Sequence, residues 1–313
     1  MQGNPQRHDP YPTRIAREAQ LIERQEPTIW SRRSGASPLT PEQEAFYEEK
    51  GYLFLEGLFS EAEIAELREE AEQLKQRQQG DDRYDVIVEP NSEEVRSVFR
   101  VHEMSAVFDR LIADERLRGI AERILDDAVY THQSRVNYKP AFKGKEFDWH
   151  SDFETWHSED GMPRMRAFSM SITLSENTPH NGPLMLMPGS HRHFVSCIGE
   201  TPEYNYKQSL KRQQFGVPDA ATLTHMAEDC GIVAPTGPAG SVLIFDCNTL
   251  HGSNSNITPW PRNNVFFVYN AVSNRLEQPF GRTRPRPEFL ATREQLRPIR
   301  QSKEARETTR KTA

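Results

Sequence analysis

The chain has 313 residues, of which 35% are hydrophobic, and a formal net charge of −7 at pH 7. This length and composition allow one large β-type domain, and we expect a single core with polar ends. The acidic balance excludes a global positive field of the kind that holds nucleic acid or an anionic membrane surface.

The three cysteines, Cys197, Cys230 and Cys247, lack CxxC spacing, which argues against a disulfide scaffold or a thiolate zinc site. A reducing compartment fits them best. The N-terminus has no apolar signal segment, and no stretch approaches the roughly 20 apolar residues that a membrane-spanning helix requires. The sequence therefore predicts a cytoplasmic protein with no membrane and no nucleic-acid partner.

Residues 1–38 carry scattered Pro, Arg and Ser without a sustained period, which predicts an arm that becomes ordered only by lying on the body. Regular structure is expected to begin just after it. Thr40 can cap a helix, Pro41 suits the first helical position and Gln43 can complete a capping box. We expect this helix to end near Tyr47.

Two more helical stretches are predicted before the β-rich part of the chain. After the extended apolar run GYLFLEGLF, Ser60 and Glu63 form a second capping box. Apolar residues then recur at helical spacing on one face: Ile64, Leu67, Ala71 and Leu74. The stretch from about residue 105 to 125 repeats this pattern, with these residues expected to face inward: Leu111, Leu117, Ile120 and Ile124.

From about residue 129 the hydrophobic period changes from helical to extended. Short β-rich runs are separated by Gly, Pro and Asn, in this order: VYTHQSRVNYKP, FDWHSDFETWH, RAFSMSITLSE, GPLMLMPGSH, GSVLIFDCN and NNVFFVYNAV. Such runs are typical of an antiparallel sandwich or barrel. We expect a mainly β domain with flanking helices over residues 39–285. Residues 286–313 are predicted to be a basic, solvated C-terminal tail.

The run FDWHSDFETWH contains a candidate metal site. If His150 and Asp152 lie on an extended segment, the two-residue side-chain period places both on one face. His251, which follows the apolar run GSVLIFDC, is the best-placed third ligand. Two imidazoles and one carboxylate leave open positions on a metal, as in non-haem Fe(II) oxygenases, although zinc accepts the same ligands. Arg262, just before the next strand, is a natural bidentate partner for a carboxylate cosubstrate.

Beyond this pattern, the runs EKGYLFLEGLFSEAEIAELREE, NGPLMLMPGSHR and LHGSNSN resemble the 2-oxoglutarate-dependent non-haem iron dioxygenases, and among them the phytanoyl-CoA dioxygenase superfamily. The run from Phe147 to His191 resembles more specifically its ectoine-hydroxylating branch. The resemblance covers about residues 40 to 285. It implies a double-stranded β-helix, or jelly roll, in which His150, Asp152 and His251 hold Fe(II).

The resemblance also implies a reaction and an assembly. 2-Oxoglutarate and O2 are the implied cosubstrates, and the implied substrate is ectoine, a small ring with an amidinium and a carboxylate. Hydroxylation next to the carboxylate-bearing carbon gives 5-hydroxyectoine, with succinate and CO2 as coproducts. Relatives imply a homodimer.

Site residues are carried over from the matching motifs. Fixed cations and donors suit the dianionic cosubstrate, and an aromatic wall limits water. The residues assigned to 2-oxoglutarate are Asn137, Lys139, Phe147, Ser253 and Arg262. An aromatic face suits the substrate amidinium and amide donors suit its carboxylate. The residues assigned to the substrate are Gln133, Trp156 and Asn264.

Two alternatives stay open at this point. One keeps the enzyme class but replaces ectoine by another small zwitterion such as proline. The other is a catalytically silent jelly-roll protein that binds a metal or a small ligand. The second predicts that a metal-binding or cosubstrate-binding residue is missing. The sequence disfavours it, because His150, Asp152, His251 and Arg262 are all present.

Overall fold

The computed structural model describes residues 8–15, 18–32, 37–78, 85–89, 93–210, 215–281 and 284–300. The ends of the predicted arm and tail, residues 1–7 and 301–313, lie outside these ranges. The strands are β1 Leu21–Glu23, β2 Tyr52–Leu55, β3 Val86–Val88, β4 Val95–Phe99, β5 Val129–Lys139, β6 Phe147–His150, β7 Ala167–Thr173, β8 Leu184–Leu186, β9 His193–Val195, β10 Val242–Asp246, β11 His251–Ser253 and β12 Arg262–Ala271.

The helices lie mostly before the sheet-forming half of the chain. They are α1 Pro41–Lys50, α2 Glu61–Gln78, α3 Val101–Met104, α4 Ala106–Ile112, α5 Glu115–Leu125, α6 Asp152–Thr155, α7 Tyr206–Ser209 and α8 Ala220–Cys230. A π-helix, Trp156–Asp160, continues α6, and short 3-10 turns occupy Ser190–Arg192 and Val272–Asn274. No helix in the described ranges is both long and apolar enough to cross a bilayer.

Both predicted capping boxes are present. The Thr40 hydroxyl accepts from the Gln43 amide N–H at 3.2 Å, and the Gln43 side chain accepts from the Thr40 N–H at 2.9 Å. Ser60 and Glu63 make the same reciprocal pair at the start of α2. The first helix is longer than predicted, because it continues past Tyr47 until Gly51 adopts a left-handed conformation with φ 72°.

The predicted helical stretch near residues 105 to 125 is divided into α4 and α5. The break falls at Asp114, whose carboxylate accepts from the Arg116 amide N–H at 2.9 Å and so caps α5. An Asp side chain competes well for a free N–H at a helix start, and this local bond outweighs the continuous apolar period. The four predicted inward residues are all buried.

The strands form an antiparallel seven-stranded sheet in the order β2-β10-β7-β12-β5-β4-β3, a three-stranded sheet β6-β11-β8 and a pair β1-β9. Helices α1, α2, α4 and α5 cover one face of the large sheet with the main apolar core. On β5, Val136 and Tyr138 belong to this core. The alternate residues of β5 line a cavity on the other face: Gln133, Arg135, Asn137 and Lys139. The mainly β, double-stranded β-helix fold with helical flanks is thus confirmed.

The run FDWHSDFETWH is extended only as far as His150, so the prediction of a continuous strand there is wrong. The Ser151 hydroxyl accepts from the Glu154 amide N–H at 3.3 Å and caps α6, which begins at Asp152. Trp156 therefore lies on the π-helix and not on a strand. This π-helix ends at Gly161, where φ is 77° and a Cβ would lie 2.2 Å from the Glu277 carbonyl oxygen.

The described parts of the arm and of the tail pack on the body. Strand β1 of the arm pairs with β9, and Tyr11 is fully buried, as expected for an arm ordered by contact. The expectation of a solvated tail is wrong for its described part. Phe289 and Leu290 are buried, and the Ile299 N–H bonds to the Val129 carbonyl, because the tail carries apolar residues among its arginines.

Candidate active site

The three predicted metal ligands converge at one point of the cavity. His150 and His251 are directly paired across β6 and β11, with ring centroids 4.2 Å apart. Asp152 reaches the same point from the first position of α6, because Ser151 keeps the backbone extended before the helix begins. One donor atom from each residue lies within 4.8 Å of the others, and all three residues are buried.

The protonation of these side chains suits a divalent metal. His150 Nδ1 donates to the Asp148 carbonyl at 2.8 Å and His251 Nδ1 donates to the Thr249 carbonyl at 2.9 Å, which leaves both Nε2 lone pairs available. Burial lowers the pKa of His150 to about 3 and also lowers the pKa of His251. Burial opposes ionisation of Asp152, yet the two histidines and Arg135 keep its pKa below the usual value.

The donor set fits a first-row divalent ion. Asp152 Oδ1 lies 3.8 Å from His150 Nε2 and 4.0 Å from His251 Nε2. Two donors bound at about 2.0–2.2 Å to one ion can be up to about 4.2 Å apart, so these separations allow simultaneous coordination. The Ser169 hydroxyl donates to the other Asp152 oxygen at 3.1 Å and orients the carboxylate.

Next to the ligands lies a group of buried cations. Lys139 and Arg262 are neighbours across β5 and β12, and both are nearly inaccessible to solvent. Arg262 Nε has no hydrogen-bond partner in the part of the chain that the structure describes. Burial and the charges of Arg262 and Arg96 lower the pKa of Lys139 to about 6, and burial with Arg96 lowers the pKa of Arg262 to about 10. Such a group is suited to an anion that no described side chain supplies.

The other residues predicted to bind the cosubstrate lie in the same part of the cavity. Ser253 accepts from Lys139 Nζ at 2.8 Å. Phe147 lines the cavity, with its ring 5.0 Å from that of His150 and the Arg96 guanidinium 5.4 Å from its centroid. Asn137 also lines it, and its side-chain oxygen accepts from the Ser97 hydroxyl at 2.8 Å.

Two of the three predicted substrate residues line the opposite part of the cavity. The Gln133 amide donates to the Leu290 carbonyl of the tail at 2.8 Å, and buried Trp156 makes an edge contact with His132 at 4.9 Å. Asn264 is not among the residues that line the cavity in the described ranges. Its amide donates to Ser171 at 2.8 Å and its oxygen accepts from Arg262 at 3.4 Å, so its observed contacts support the arginine.

Several charged residues of the cavity were not identified from the sequence. Arg96 lies on β4 and is paired with Glu89 at 2.9 Å, and Arg286 of the tail makes a bidentate pair with Asp160. Arg135 shares its face of β5 with Gln133, Asn137 and Lys139, so the two-residue period of that strand could have revealed it. No comparable pattern points to Arg96 or Arg286, which reach the cavity from separate elements.

Taken together, the cavity places an open metal site between an anion pocket and a second, mixed pocket. The anion pocket contains Lys139 and Arg262, and the mixed pocket contains Trp156, Arg135 and Arg286. A keto acid bound to the metal can extend its far carboxylate towards the first pocket while a small zwitterion occupies the second.

Comparisons with known proteins agree with this geometry. A family model described as phytanoyl-CoA dioxygenase (PhyH) matches residues 47–264. An ectoine dioxygenase of Sphingopyxis alaskensis is 54% identical over 91% of this chain and 93% of its own length. An ectoine dioxygenase of Halomonas elongata is 51% identical over 90% of this chain and 86% of its own length.

Solved structures show the same relationship. The crystal structure of EctD from S. alaskensis with 2-oxoglutarate and 5-hydroxyectoine has a TM-score of 0.86 and 50% identity, covering 94% of this chain and 98% of that one. The structure of EctD with bound Fe has a TM-score of 0.85 and 49% identity over the same shares of the two chains. From the family match, the identities and the arrangement of the metal ligands, the chain belongs to the phytanoyl-CoA dioxygenase (PhyH) family.

Proposed function

We infer that this protein is an Fe(II)- and 2-oxoglutarate-dependent dioxygenase that converts ectoine to 5-hydroxyectoine, with succinate and CO2 as coproducts. The observation that carries this inference is the presence, in one cavity, of a two-histidine, one-carboxylate metal site beside an uncompensated anion pocket. The identity of 54% to an ectoine dioxygenase and the likeness to EctD in complex with 5-hydroxyectoine support the substrate.

We assign the iron to His150, Asp152 and His251. When bound, iron and 2-oxoglutarate supply the oxidising chemistry: O2 decarboxylates the keto acid to succinate and CO2, and one oxygen atom enters a substrate C–H bond. The protein side chains determine where this occurs. Because both imidazoles are neutral and Asp152 is ionised, the ligands themselves neither donate nor accept a proton near pH 7.

We assign the distal carboxylate of 2-oxoglutarate to Arg262, Lys139 and Ser253. Arg262 can offer a fork of N–H donors, whereas Lys139 offers a point charge that Ser253 holds in place. Phe147 closes the wall between this pocket and His150, which keeps water away from the metal. Asn137 borders the same pocket as a neutral donor and acceptor.

For ectoine, we assign the carboxylate to Arg135 and Gln133 and the amidinium face to Trp156. Arg135 lines the cavity, partly buried and close enough to Asp152 for their charges to interact, so it can hold an anionic group near the metal. Trp156 offers an aromatic surface to a cationic ring. Arg286 also lines this end of the cavity, with its charge paired to Asp160. We do not extend the substrate assignment to Asn264, whose contacts place it beside Arg262.

The deciding experiment incubates the purified protein with Fe(II), 2-oxoglutarate, O2 and ectoine and quantifies succinate and hydroxylated ectoine by mass spectrometry. We expect the two products in a ratio near one. Proline and other small zwitterions form the comparison panel. If one of them is hydroxylated with matching succinate formation while ectoine gives no product, that compound and not ectoine is the substrate. Absence of oxygen uptake with every substrate under reducing, iron-replete conditions would favour a silent binding protein instead.

We also propose that the protein acts as a homodimer and that residues 39–285 form the catalytic domain. The ordered tail residues and the arm contribute walls and supports to that domain. Light scattering coupled to gel filtration measures the mass directly, and a monomeric mass at assay concentration would contradict the dimer.

A further inference from the structure

A buried charge cluster connects the N-terminal arm to the substrate end of the cavity. The Arg14 guanidinium makes a bidentate pair with Glu154, through Nε at 2.9 Å and Nη2 at 2.7 Å. Its third nitrogen, Nη1, lies 2.5 Å from Glu159 Oε1. All three side chains are almost completely buried, at 1–4% exposure. One arginine of the arm therefore binds two carboxylates that are more than 130 residues away in sequence.

The two carboxylates belong to the helical segment that carries the active-site residues. Glu154 lies two positions after the metal ligand Asp152, and Glu159 is on the π-helix that begins with Trp156. Glu159 itself lines the cavity, as do Thr155 and Trp156. The Arg14 fork thus binds this segment at two points, at Glu154 on α6 and at the cavity-lining Glu159 on the π-helix.

Arg14 is also held firmly at its own position. Its backbone has φ 56°, a left-handed conformation that is unfavourable for arginine, and its N–H donates to the Cys197 carbonyl at 2.8 Å. Next to it, the Thr13 hydroxyl donates to Glu154 at 2.6 Å and accepts from the Cys197 N–H at 2.9 Å. The contacts of Thr13 and of the Arg14 N–H therefore hold the strained backbone that positions this guanidinium.

The same cluster reaches the chain that follows β9. Arg14 Nη1 donates to Thr201 at 2.7 Å, and the Asn205 amide donates to Glu159 at 3.0 Å. Asn205 lines the cavity. A side chain at Gly216 is also excluded, because its Cβ would lie 2.6 Å from both Arg14 and Glu154. The cavity-lining residues Glu159 and Asn205 are therefore connected to the arm, because Asn205 bonds to Glu159 and Glu159 pairs with Arg14.

We propose that Arg14 is a positioning residue for the hydroxylation reaction, which holds the segment of Thr155, Trp156 and Glu159 in the geometry that binds the substrate. This inference rests on the proposed function. Without the guanidinium, the two buried carboxylates repel each other and lose their charged donor, while the neutral donors Thr13 at Glu154 and Asn205 at Glu159 do not offset their charge. The repulsion moves the two carboxylates apart, and this movement displaces cavity-lining groups of the same segment. Within the described ranges, Lys139 and Arg262 of the anion pocket share no hydrogen bond or ion pair with Arg14, Glu154 or Glu159.

The test compares Arg14→Gln with Arg24→Gln. Arg24 is a matched control, because it is a buried arginine of the same arm whose carboxylate partner, Asp246 at 2.8 Å, does not line the cavity in the described ranges. For Arg14→Gln we expect the KM for ectoine to rise about tenfold or more and the yield of hydroxyectoine per succinate to fall, while the KM for 2-oxoglutarate stays within about twofold. Arg24→Gln should leave the ectoine KM and the product ratio within about twofold of wild type.

Three results have distinct meanings. If the wild type does not hydroxylate ectoine, the proposed function fails. If the wild type does, and Arg14→Gln lowers kcat only in proportion to the folded fraction with KM and product ratio unchanged, the arginine is merely structural and our inference is wrong. If Arg14→Gln is too unstable for kinetics, Arg14→Lys is measured in its place. Lysine retains the charge but cannot make the bidentate pair with Glu154 while a separate nitrogen reaches Glu159, so a raised ectoine KM supports the inference and an unchanged one overturns it.

Discussion

The lowered pKa of Lys139 leads to a prediction about cosubstrate binding. Burial and two neighbouring arginines lower this pKa to about 6, so the amine is about half protonated at pH 6 and almost entirely neutral at pH 8 before 2-oxoglutarate binds. An anion beside the amine favours its charged form and raises the pKa. Binding therefore takes up a proton in the interval between the two pKa values, and it weakens as the pH rises through that interval.

The magnitude follows from the protonated fraction. At pH 8 about one molecule in 100 carries the ammonium before binding, compared with one in two at pH 6. The dissociation constant of 2-oxoglutarate should therefore rise about 50-fold between these values, or about 2.3 kcal/mol. His150 does not contribute, because it is already neutral over this range with a pKa of about 3.

Anaerobic calorimetry of the iron-loaded protein measures both the dissociation constant of 2-oxoglutarate and the number of protons taken up on binding. Titrations in two buffers of different ionisation enthalpy give the number of protons taken up, which we expect to approach one at pH 8 and to vanish below pH 5. Lys139→Met is the control, because it preserves the length of the side chain and removes the amine. The affinity of the Lys139→Met variant for 2-oxoglutarate should be lower than that of the wild type and independent of pH. Wild-type affinity that is constant from pH 6 to 8, without proton uptake, would refute the reasoning.

Other predictions concern single side chains. Asp152→Ala should lose iron and activity with little change in thermal midpoint, because an open metal site is rarely a folding nucleus; elemental analysis and calorimetry test this, and retained turnover would contradict the ligand set. Arg262→Gln should raise the KM for 2-oxoglutarate about 10- to 100-fold through loss of a charge-assisted pair, and an equal rise in the KM for ectoine would argue against that role. Trp156→Ala should raise the KM for ectoine about tenfold in steady-state assays, with an unchanged value excluding stacking on the ring. Ile64→Ala, a fully buried core position, should lower the free energy of unfolding in urea by about 2–5 kcal/mol without affecting iron affinity.

Local signals in the sequence predicted the parts of the fold that depend on neighbouring residues. The capping boxes at Thr40 and Ser60 were correct because each is closed within four residues by its own hydrogen bonds. The burial of Ile64 and Leu117 followed from helical periodicity. The prediction of continuous helices and strands failed where a single polar side chain interrupts the hydrophobic pattern. Asp114 divides one apolar stretch into two helices, and Ser151 ends a strand that the pattern continued.

The candidate site shows the same limit. His150, Asp152 and His251 were selected by residue type and strand order, and the structure brings them together, although Asp152 arrives from a helix. Arg96, Arg286 and Arg14 approach the cavity or its support from separate elements. Their relation to the site arises from tertiary packing over long separations, which leaves no periodic trace in the sequence. Asn264 shows the opposite case. Its position in the motif predicted a substrate contact, but it is not among the described residues that line the cavity.

The wide turn at Trp156–Asp160 has a consequence for redesign of the specificity of this enzyme. Its length is defined at one end by the Ser151 cap and at the other by Gly161, which cannot accept a Cβ against the Glu277 carbonyl. Removing or adding one residue in α6, between the Ser151 cap and Trp156, would rotate Trp156 by about 100° around the helix axis, since each residue of an α-helix turns it by that angle. Libraries that aim at new substrates should therefore vary side-chain identity in this segment and leave its residue count untouched.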